Sequence, residues 1–225
     1  MKRLVFYLMI GFVFSFLSGC ELKEDGYSMN NSWIGFGIIQ NDTVSETFTI
    51  KLDDGAVLFP VTITEWYKNV KNNQRILVNF TIVGDKQNAE KIEQYYVKIN
   101  SLRSVLYKGI LDIIPAIEDS IGNDPIHVEN YWLKNNMLNF ELSYKGGNKI
   151  HFINLVKQPG AIVAEPVILE LRHNNNDDKE EIPMSAIVTF DLSALKVQGK
   201  DSVSFKVKAK DFDGKDFEYS GVFKY

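Results

Sequence analysis

The chain has 225 residues, 45% of them hydrophobic and 24% charged, and its formal net charge is −4 at pH 7. This acidic balance argues against a nucleic-acid partner, because binding to phosphate backbones requires clustered Lys and Arg side chains. Its single cysteine removes intramolecular disulfide bonds and cysteine-based metal sites from consideration.

The N-terminus has the pattern of a secretory signal peptide. Lys2 and Arg3 precede an uncharged apolar stretch, Leu4 to Phe16, that ends in small residues. The stretch is too short for a membrane-spanning helix, which needs about 20 apolar residues. Leu17-Ser18-Gly19-Cys20 resembles the bacterial lipobox, in which a lipid is attached to the cysteine thiol and the chain is cleaved before it. We therefore predict a signal peptide over 1–19 and a membrane anchor on Cys20. An ordinary signal peptide with a stray cysteine is the alternative.

A charged tether follows the predicted anchor. Cleavage would leave 225 − 19 = 206 residues, and removal of Lys2 and Arg3 would lower the basic residues to 25 − 2 = 23 against 29 acidic ones, a net charge of −6. We place the lipidated cysteine and its tether at 20–32. The charged stretch 21–25 carries no periodicity, so we expect it to be flexible. Acidic residues just after the cysteine resemble the surface-export signal of Bacteroides-group lipoproteins, although a plain solvated spacer is an equal alternative. The predicted location is the cell envelope, at the outer membrane, with surface exposure left open.

The first half of the remaining chain has strand periodicity. Residues 47–52 alternate between polar and apolar types, and Asp53-Asp54-Gly55 is typical of a hairpin turn. Residues 75–82 alternate again, with Ile, Val, Phe and Ile on one face. About five strands between 33 and 117 predict an OB-type barrel. A simple meander sheet is the alternative.

Residues 116–125 interrupt the strand pattern. Pro115, Gly122 and Pro125 are typical of turns, so we place the domain boundary here, with the barrel over 33–117 and a second domain over 118–225. The second domain contains seven candidate strands at short spacing, with turns at Gly146-Gly147 and Asp213-Gly214. This spacing predicts an immunoglobulin-like antiparallel β-sandwich. The fold class is therefore all-β.

The ordered set of short stretches in both halves resembles one known family. They are Leu52-Asp53-Asp54-Gly55, Gln74-Arg75-Ile76-Leu77-Val78-Asn79-Phe80-Thr81-Ile82, Asp119-Ser120-Ile121-Gly122-Asn123-Asp124-Pro125, Ile153-Asn154-Leu155-Val156, Leu171-Arg172-His173-Asn174 and Phe190-Asp191-Leu192. They are similar to those of the NigD-like lipoproteins of Bacteroides-group bacteria. The resemblance implies an OB-type domain followed by a β-sandwich and loosely suggests bacteriocin immunity. It brings no catalytic residues.

The barrel half contains the predicted binding patch. Trp66 and Tyr67 adjoin a polar turn, and Arg75 begins the next strand. Large rigid rings beside a cation are typical of interface contacts. Burial of Trp66 in the barrel, with Arg75 paired to a carboxylate such as Glu65, is the alternative.

The histidines do not predict a metal site. His127 and His151 are flanked by apolar residues that alternation sends to the other face, so we expect both to face solvent or a polar edge. His173 shares the parity of Leu169 and Leu171 and should lie at the rim of a core. A metal site would need several of these side chains to converge. No cofactor is predicted.

Three short motifs resemble the O-glycosylation sequon of the same bacterial group. Asp42-Thr43-Val44, Asp119-Ser120-Ile121 and Asp201-Ser202-Val203 place the candidate hydroxyls on Thr43, Ser120 and Ser202. Three-residue motifs also occur by chance. Ser120 is the best candidate because it lies in the predicted interdomain stretch.

The sequence predicts a non-catalytic envelope lipoprotein with an unidentified protein or glycan partner. It contains no Gly-x-Ser-x-Gly, His-Glu-x-x-His or phosphate-binding glycine loop. A hydrolase acting on glycans or other envelope substrates and a purely structural envelope component are the alternatives. An acid pair or a histidine cluster converging in a cleft would favour the enzyme.

Overall fold

The chain folds almost entirely into β-strands, which confirms the predicted all-β class. The computed structural model describes residues 27–42, 47–62, 70–88, 91–160 and 165–225. Within these residues the strands are interrupted by one α-helix, α1 (Glu118–Ile121), and by the 3-10 helices Leu192–Leu195 and Phe212–Gly214. Among the same residues, no helix is long and apolar enough to cross a membrane.

Five strands close into the predicted barrel. They are β1 (Trp33–Asp42), β2 (Thr47–Leu52), β3 (Val57–Pro60), β4 (Arg75–Asn88) and β5 (Lys91–Ser104). Their order around the barrel is β1-β2-β3-β5-β4, with β4 returning to β1. Strands β3 and β5 pair in parallel, and the other neighbours pair antiparallel. This order has the non-sequential β3–β5 pairing of a Greek-key barrel of the OB type.

The alternation of β4 fills the centre of the barrel. Ile76 and Val78 are fully buried, and Phe80 is 5% exposed. Gly55 has φ +96°, which the turn between β2 and β3 requires and which most other residues adopt at a cost. The barrel core consists of Ile39, Phe48, Ile50, Leu52, Leu58, Ile76, Val78, Phe80, Ile82, Val97 and Ile99.

Two packed sheets form the second domain, which confirms the predicted sandwich. Its strands are β6 (Leu106–Gly109), β7 (Leu111–Asp112), β8 (His127–Lys134), β9 (Met137–Gly146), β10 (Phe152–Lys157), β11 (Val167–Asn174), β12 (Ile182–Asp191), β13 (Ser202–Lys210) and β14 (Asp216–Lys224). One sheet has the order β14-β13-β11-β10-β7, and the other has β6-β12-β9-β8. Alternating residues such as Leu138, Phe140 and Leu142 fill the core between them.

The sequence predicted an antiparallel sandwich, but the observed sandwich also contains parallel strand pairs. Strand β6 runs parallel to β12, β7 parallel to β10, and β11 parallel to β13. The first two pairs arise because the chain enters the sandwich from the barrel and contributes one short strand to each sheet before the main strands begin. Local alternation gives no information about such long-range pairing.

The sheet pairings also place the domain boundary earlier than predicted. The barrel ends with β5 at Ser104, and β6 already belongs to the sandwich from Leu106 onward. The predicted division between 117 and 118 would separate β6 and β7 from the sheets to which they are hydrogen-bonded.

Residues 116–125 are packed against the sandwich. Ile121 of α1 is 4% exposed and shares a small core with Ile113 and Val156. The backbone N–H of Asp124 donates to the His173 carbonyl at 2.8 Å. Gly122 and Pro125 therefore belong to a turn that is packed within the sandwich.

Candidate binding site at the domain junction

The two domains meet through their hairpin turns. Asn135 adopts φ +55° in the turn between β8 and β9, a conformation that Asn tolerates better than most residues. Its side-chain amide donates to the carbonyl of Asp53 in the barrel turn at 3.2 Å. The barrel therefore contacts the outer face of the β6-β12-β9-β8 sheet, the face opposite the sandwich core.

Arg75 is buried between the domains. Its guanidinium donates to both carboxylate oxygens of Asp53, one of them at 2.6 Å, and to Oδ1 of Asn139 at 3.3 Å. The guanidinium carbon also lies 5.3 Å from the centre of the Phe36 ring. A buried arginine needs such a bidentate carboxylate partner to offset its lost hydration.

Asn139 links this ion pair to the sandwich. Its side-chain amide donates to the carbonyls of Trp132 and Met137 at 3.3 and 3.0 Å, and its Oδ1 accepts from Thr189 Oγ1 at 2.7 Å. Asn139 and Thr189 are both fully buried. We refer to Arg75, Asp53 and Asn139 together as the junction clamp.

An aromatic groove lies beside the clamp, with a volume of about 360 Å³. Trp33 stacks on Phe80 with a centroid separation of 6.3 Å, and Phe36 contacts Trp132 across the domain junction at 5.4 Å. Ile34, at the groove, is 69% exposed, and Trp33 is 38% exposed. The groove is lined by Trp33, Ile34, Gly35, Phe36, Leu52, Asp53, Asp54, Phe80, Trp132, Leu133 and Lys134.

A larger and more polar cleft of about 490 Å³ also separates the domains. Leu77 and Arg103 line it from the barrel, and Glu129 and Glu141 line it from the sandwich. The Ser143 hydroxyl donates to Glu129 at 2.6 Å. We call this site the interdomain cleft; it is lined by Leu77, Arg103, Ser104, Val105, Glu129, Glu141, Leu142, Ser185, Ala186 and Ile187.

The interdomain cleft contains two carboxylates that differ in exposure. The Glu129 side chain is 55% exposed, and Glu141 is half-buried. In the described part of the chain, no serine hydroxyl is hydrogen-bonded to a histidine, and no group of three or more His, Cys, Asp or Glu is placed to hold a metal ion.

A chain of hydrogen bonds joins two histidines at one end of the sandwich. His173 Nδ1 lies 3.0 Å from the Pro125 carbonyl, His173 Nε2 lies 2.9 Å from His151 Nδ1, and His151 Nε2 lies 3.1 Å from Asp178. The Pro125 carbonyl and the Asp178 carboxylate can only accept. Every bond is therefore satisfied with three ring protons, one on His173 Nδ1, one on His151 Nε2 and one between the two facing nitrogens. We call these residues the histidine chain.

Burial perturbs both ends of the histidine chain. Desolvation lowers the pKa of His173, assisted by the neighbouring His151, while the Pro125 carbonyl, Asp124 and Glu180 oppose the shift. Desolvation alone would raise the pKa of Asp178. Donation from the backbone of Gly147, from His151 and from the backbones of Lys149 and Lys179 outweighs it, so the net pKa is lowered.

Of the predicted binding patch, the structure describes only Arg75. Arg75 is 1% exposed and holds the domains together, so it is not the surface contact that the sequence suggested. Its carboxylate partner among the described residues is Asp53, and Glu65 lies outside them. Trp66 and Tyr67 lie outside the described residues, as do Cys20 and Thr43.

The remaining predicted residues lie on the sandwich. Ser120 is exposed on α1 and donates to the Ile117 carbonyl at 2.8 Å. Ser202 is half-buried on β13. His127 is exposed, as predicted, and its Nδ1 lies 2.8 Å from Asp211. The expectation for His151 was wrong, because its side chain is only 4% exposed. His151 precedes β10 and turns inward, so strand alternation does not apply to it.

Sequence reasoning missed both sides of the domain junction. Arg75 and Asn139 are 64 residues apart, and no local pattern connects them. Arg75 gave no signal of burial, because alternation places it on the same strand face as Leu77, Asn79 and Thr81, two of which are polar. Trp132 carried a weak signal, as an aromatic residue beside the hairpin turn at Asn135.

The fold and the junction define a two-domain all-β protein with an OB barrel seated on a β-sandwich. The family model for the NigD-like N-terminal OB domain matches residues 36–105, and the one for the NigD-like C-terminal β-sandwich domain matches residues 109–222. The chain therefore belongs to the NigD-like family. No curated protein matches it.

Several solved structures share this architecture. A Parabacteroides distasonis protein provisionally described as toxin-related is 31% identical, with a TM-score of 0.71 over 86% of this chain and 94% of that one. A Bacteroides vulgatus protein of unknown function is 22% identical, with a TM-score of 0.70 over 87% and 91%. A NigD-like immunity protein from Bacteroides caccae is 21% identical, with a TM-score of 0.65 over 88% and 99%. The last two show similarity of fold alone.

Proposed function

We propose that this chain is a non-catalytic lipoprotein of the cell envelope that binds a protein partner in the aromatic groove. A lipid on Cys20 would anchor it, at the outer membrane in our proposal. The first described strand begins only 13 residues after Cys20, so the groove lies near the membrane end of the chain. A tether of that length spans at most about 45 Å at roughly 3.5 Å per residue.

The observation that carries the proposal is the exposure of Ile34 and Trp33 at a preformed aromatic groove. Aromatic residues are enriched at interfaces, and anchors that fill such grooves contribute much of the binding energy. The groove is polar only at Asp53, Asp54 and Lys134, so it fits an apolar or aromatic side chain of a partner protein.

Bacteriocin immunity would be one form of this activity. The Bacteroides caccae protein of the same fold bears the name NigD-like immunity protein. For this chain we propose the corresponding role, in which the bound partner is a toxic protein or peptide that reaches the envelope.

A cross-linking pull-down from intact cells tests the groove. Ile34→Ser should fold normally, because Ile34 is 69% exposed, and should recover much less partner than the unmodified chain. Ile150→Ser is the matched control, since Ile150 is 73% exposed on the sandwich and lies away from the groove. Equal recovery with both variants would exclude the groove as the contact.

The anchor has its own test. Cys20→Ala should leave the protein unprocessed or release it from membranes, because a lipid chain on this thiol supplies about 0.8 kcal/mol of membrane affinity per buried methylene. Detergent-phase partitioning measures the result. Unchanged partitioning of the variant would exclude lipidation at Cys20.

Ser120 is the residue that we propose for O-glycosylation, because it is exposed on α1 within the sequence Asp119-Ser120-Ile121. The intact mass of protein purified from its own envelope should fall by a glycan mass in Ser120→Ala. The same comparison applied to Thr43→Ala and Ser202→Ala assigns the other two motifs. A Ser120→Ala mass that differs by one oxygen atom would refute modification there.

Glycan hydrolysis is a second candidate because Glu129 and Glu141 both line the interdomain cleft. A glycosidase needs one carboxylic acid and one carboxylate flanking the scissile bond. Incubation with envelope glycans, followed by mass spectrometry, tests it. Hydrolysis that disappears in both Glu129→Gln and Glu141→Gln would favour the enzyme over the binding protein.

A further inference from the structure

Strand β12 has an open edge at the interdomain cleft. Along its whole length it pairs with β9 on one side. On the other side β6 pairs only with Val188 to Asp191. Residues 182–187 therefore have no strand partner on that side among the described residues. We call this stretch the open edge; it spans roughly 20 Å at about 3.3 Å per residue.

The open edge is accessible to a binding partner. Ile182 is 52% exposed and Met184 is 38% exposed, and Ser185 is also exposed. Every second residue of a strand directs its N–H and C=O toward the same neighbour, so alternate residues of the open edge present backbone groups to the side that β6 leaves free, and Pro183 supplies only an acceptor.

The opposite sheet shows how such an edge can be protected. There β7 covers only Val156 and Lys157 of β10. Lys108 reaches across and donates to the Ile153 carbonyl at 3.1 Å and to the Asn154 side chain at 2.9 Å. A lysine over an unpaired edge blocks the addition of another strand. The open edge of β12 has no comparable cation bonded to it within the described ranges.

The cleft at the end of the open edge is negatively charged. Ser185 and Ile187 line it, and Glu141 is paired across the ladder with Ile187. Glu141 is half-buried, and its carboxylate has no hydrogen bond or ion pair to any described residue. Two carboxylates, Glu129 and Glu141, face one guanidinium, Arg103.

We propose that the open edge binds an extended peptide segment of a partner protein, which adds to the sheet as a strand and places a basic side chain toward Glu141. The unpaired backbone selects an extended chain, and the excess of carboxylates selects a basic residue. Leu77 and Ile187 provide an apolar wall for the neighbouring side chain. This site is separate from the aromatic groove, so either site can fail without the other.

A defined probe tests the proposal. We would titrate the chain, expressed without its signal peptide, with a fluorescent six-residue peptide of alternating valine and lysine and follow its anisotropy. Two matched peptides carry N-methyl groups on alternate residues, one on the odd and one on the even positions, and each methyl group removes a donor for strand pairing. One of them should bind as tightly as the unmethylated peptide, and the other should lose at least about tenfold in affinity. Equal binding of all three would overturn the proposal.

Two substitutions in the interdomain cleft should change the affinity for the lysine peptide in opposite directions. Glu141→Gln should weaken binding of the lysine peptide about tenfold at low salt, and Arg103→Gln should strengthen it. Ser185→Lys should abolish it by placing a lysine at the open edge. Glu170→Gln, on the other sheet, is the control and should have no effect. Weakening by Glu170→Gln equal to that by Glu141→Gln would reduce the result to nonspecific charge attraction and refute the site.

Hydrogen exchange locates the bound strand. The amides of 182 and 184–187 that are not bonded to β9 should gain protection on addition of the lysine peptide, and Ile34→Ser should leave that protection unchanged. Protection elsewhere with none in 182–187 would refute the site. Concentration-dependent protection of 182–187 in the absence of peptide would identify a second copy of the chain as the occupant and overturn the proposal.

Discussion

The junction clamp and the histidine chain are both buried polar networks, but they hold different things together. The clamp joins two domains through Arg75, whose guanidinium stays charged at every accessible pH. The histidine chain joins β11 to the loop before β10 through His173 and His151, and burial lowers the pKa of His173. The first network is therefore expected to be insensitive to mild acid, and the second to respond to it.

The two networks differ because one contains a permanent charge and the other contains titratable rings. A permanent charge needs a permanent partner, and the bidentate contact with Asp53 supplies one. The histidine pair accommodates three ring protons, because a fourth would place two N–H groups head to head at a separation of 2.9 Å. The stability of the domain junction and that of the histidine chain can thus be changed independently.

Removing the cation of the clamp should have the largest effect. Arg75→Met leaves Asp53 unpaired at a site where its side chain is 14% exposed, and we expect a loss of about 3–5 kcal/mol in the free energy of unfolding. Urea denaturation measures it. Lys206→Met breaks the exposed pair with Glu218 and should leave the unfolding midpoint nearly unchanged. Similar losses in both variants would remove the special role of the clamp.

Gly122 should have the next largest effect. A Cβ added there would lie 2.7 Å from the Asn174 Cβ and 2.9 Å from the His173 carbonyl oxygen, at φ +69°. Gly122→Ala should therefore cost about 2–4 kcal/mol, from strain of about 1–2 kcal/mol and from overpacking.

Gly199→Ala is the matched control for Gly122. Gly199 has φ +81° but no atom within 4 Å of the added Cβ, so only the backbone strain remains. Thermal unfolding compares the two variants. Equal destabilisation would show that the packing of Gly122 against the residues of the histidine chain contributes nothing.

The pH dependence of stability should be the smallest effect. Burial lowers the folded-state pKa of His173 below its ordinary value of 6.5, so the unfolded chain binds more protons below that pH. The stability contributed by His173 is complete above about pH 7 and is lost as the pH falls below 6.5, by at most about 1.4 kcal/mol per pH unit. The lowered pKa of Asp178 adds a further loss below its ordinary value of 3.8.

Measurement of the unfolding free energy between pH 5 and 8 checks that stability falls as the pH is lowered. The groups that face His173, namely His151, Asp124, Glu180 and Tyr144, are left unmodified. His173→Gln should flatten the acid slope, whereas His127→Gln, at an exposed position, should retain it. A slope that persists in His173→Gln would assign the acid sensitivity to other groups.

Much of the fold was predictable from local patterns, and much of the site was not. The period-two alternation of residues 75–82 and the Asp53-Asp54-Gly55 turn specify strands and a hairpin without reference to the rest of the chain. The parallel pairing of β6 with β12 depends on residues about 80 positions apart, for which alternation carries no signal.

The candidate site shows the same limit. Trp33 and Trp132 are recognisable as aromatic residues in strands, but only the packing of two domains brings Phe36 against Trp132. His151 was predicted to face solvent because alternation was applied one residue before β10 begins. Its inward orientation is set by Asp178 and His173, which come from a loop and a strand later in the chain.

The aromatic groove and the interdomain cleft are each lined by residues of both domains, so both sites require the two domains to form one unit. Differential scanning calorimetry of residues 21–225 tests this directly. Because the buried clamp joins the domains, we expect the unmodified chain to unfold in a single transition whose calorimetric and van't Hoff enthalpies agree. In Arg75→Met we expect two separate transitions. Two independent transitions in the unmodified chain, with neither altered by Arg75→Met, would contradict it.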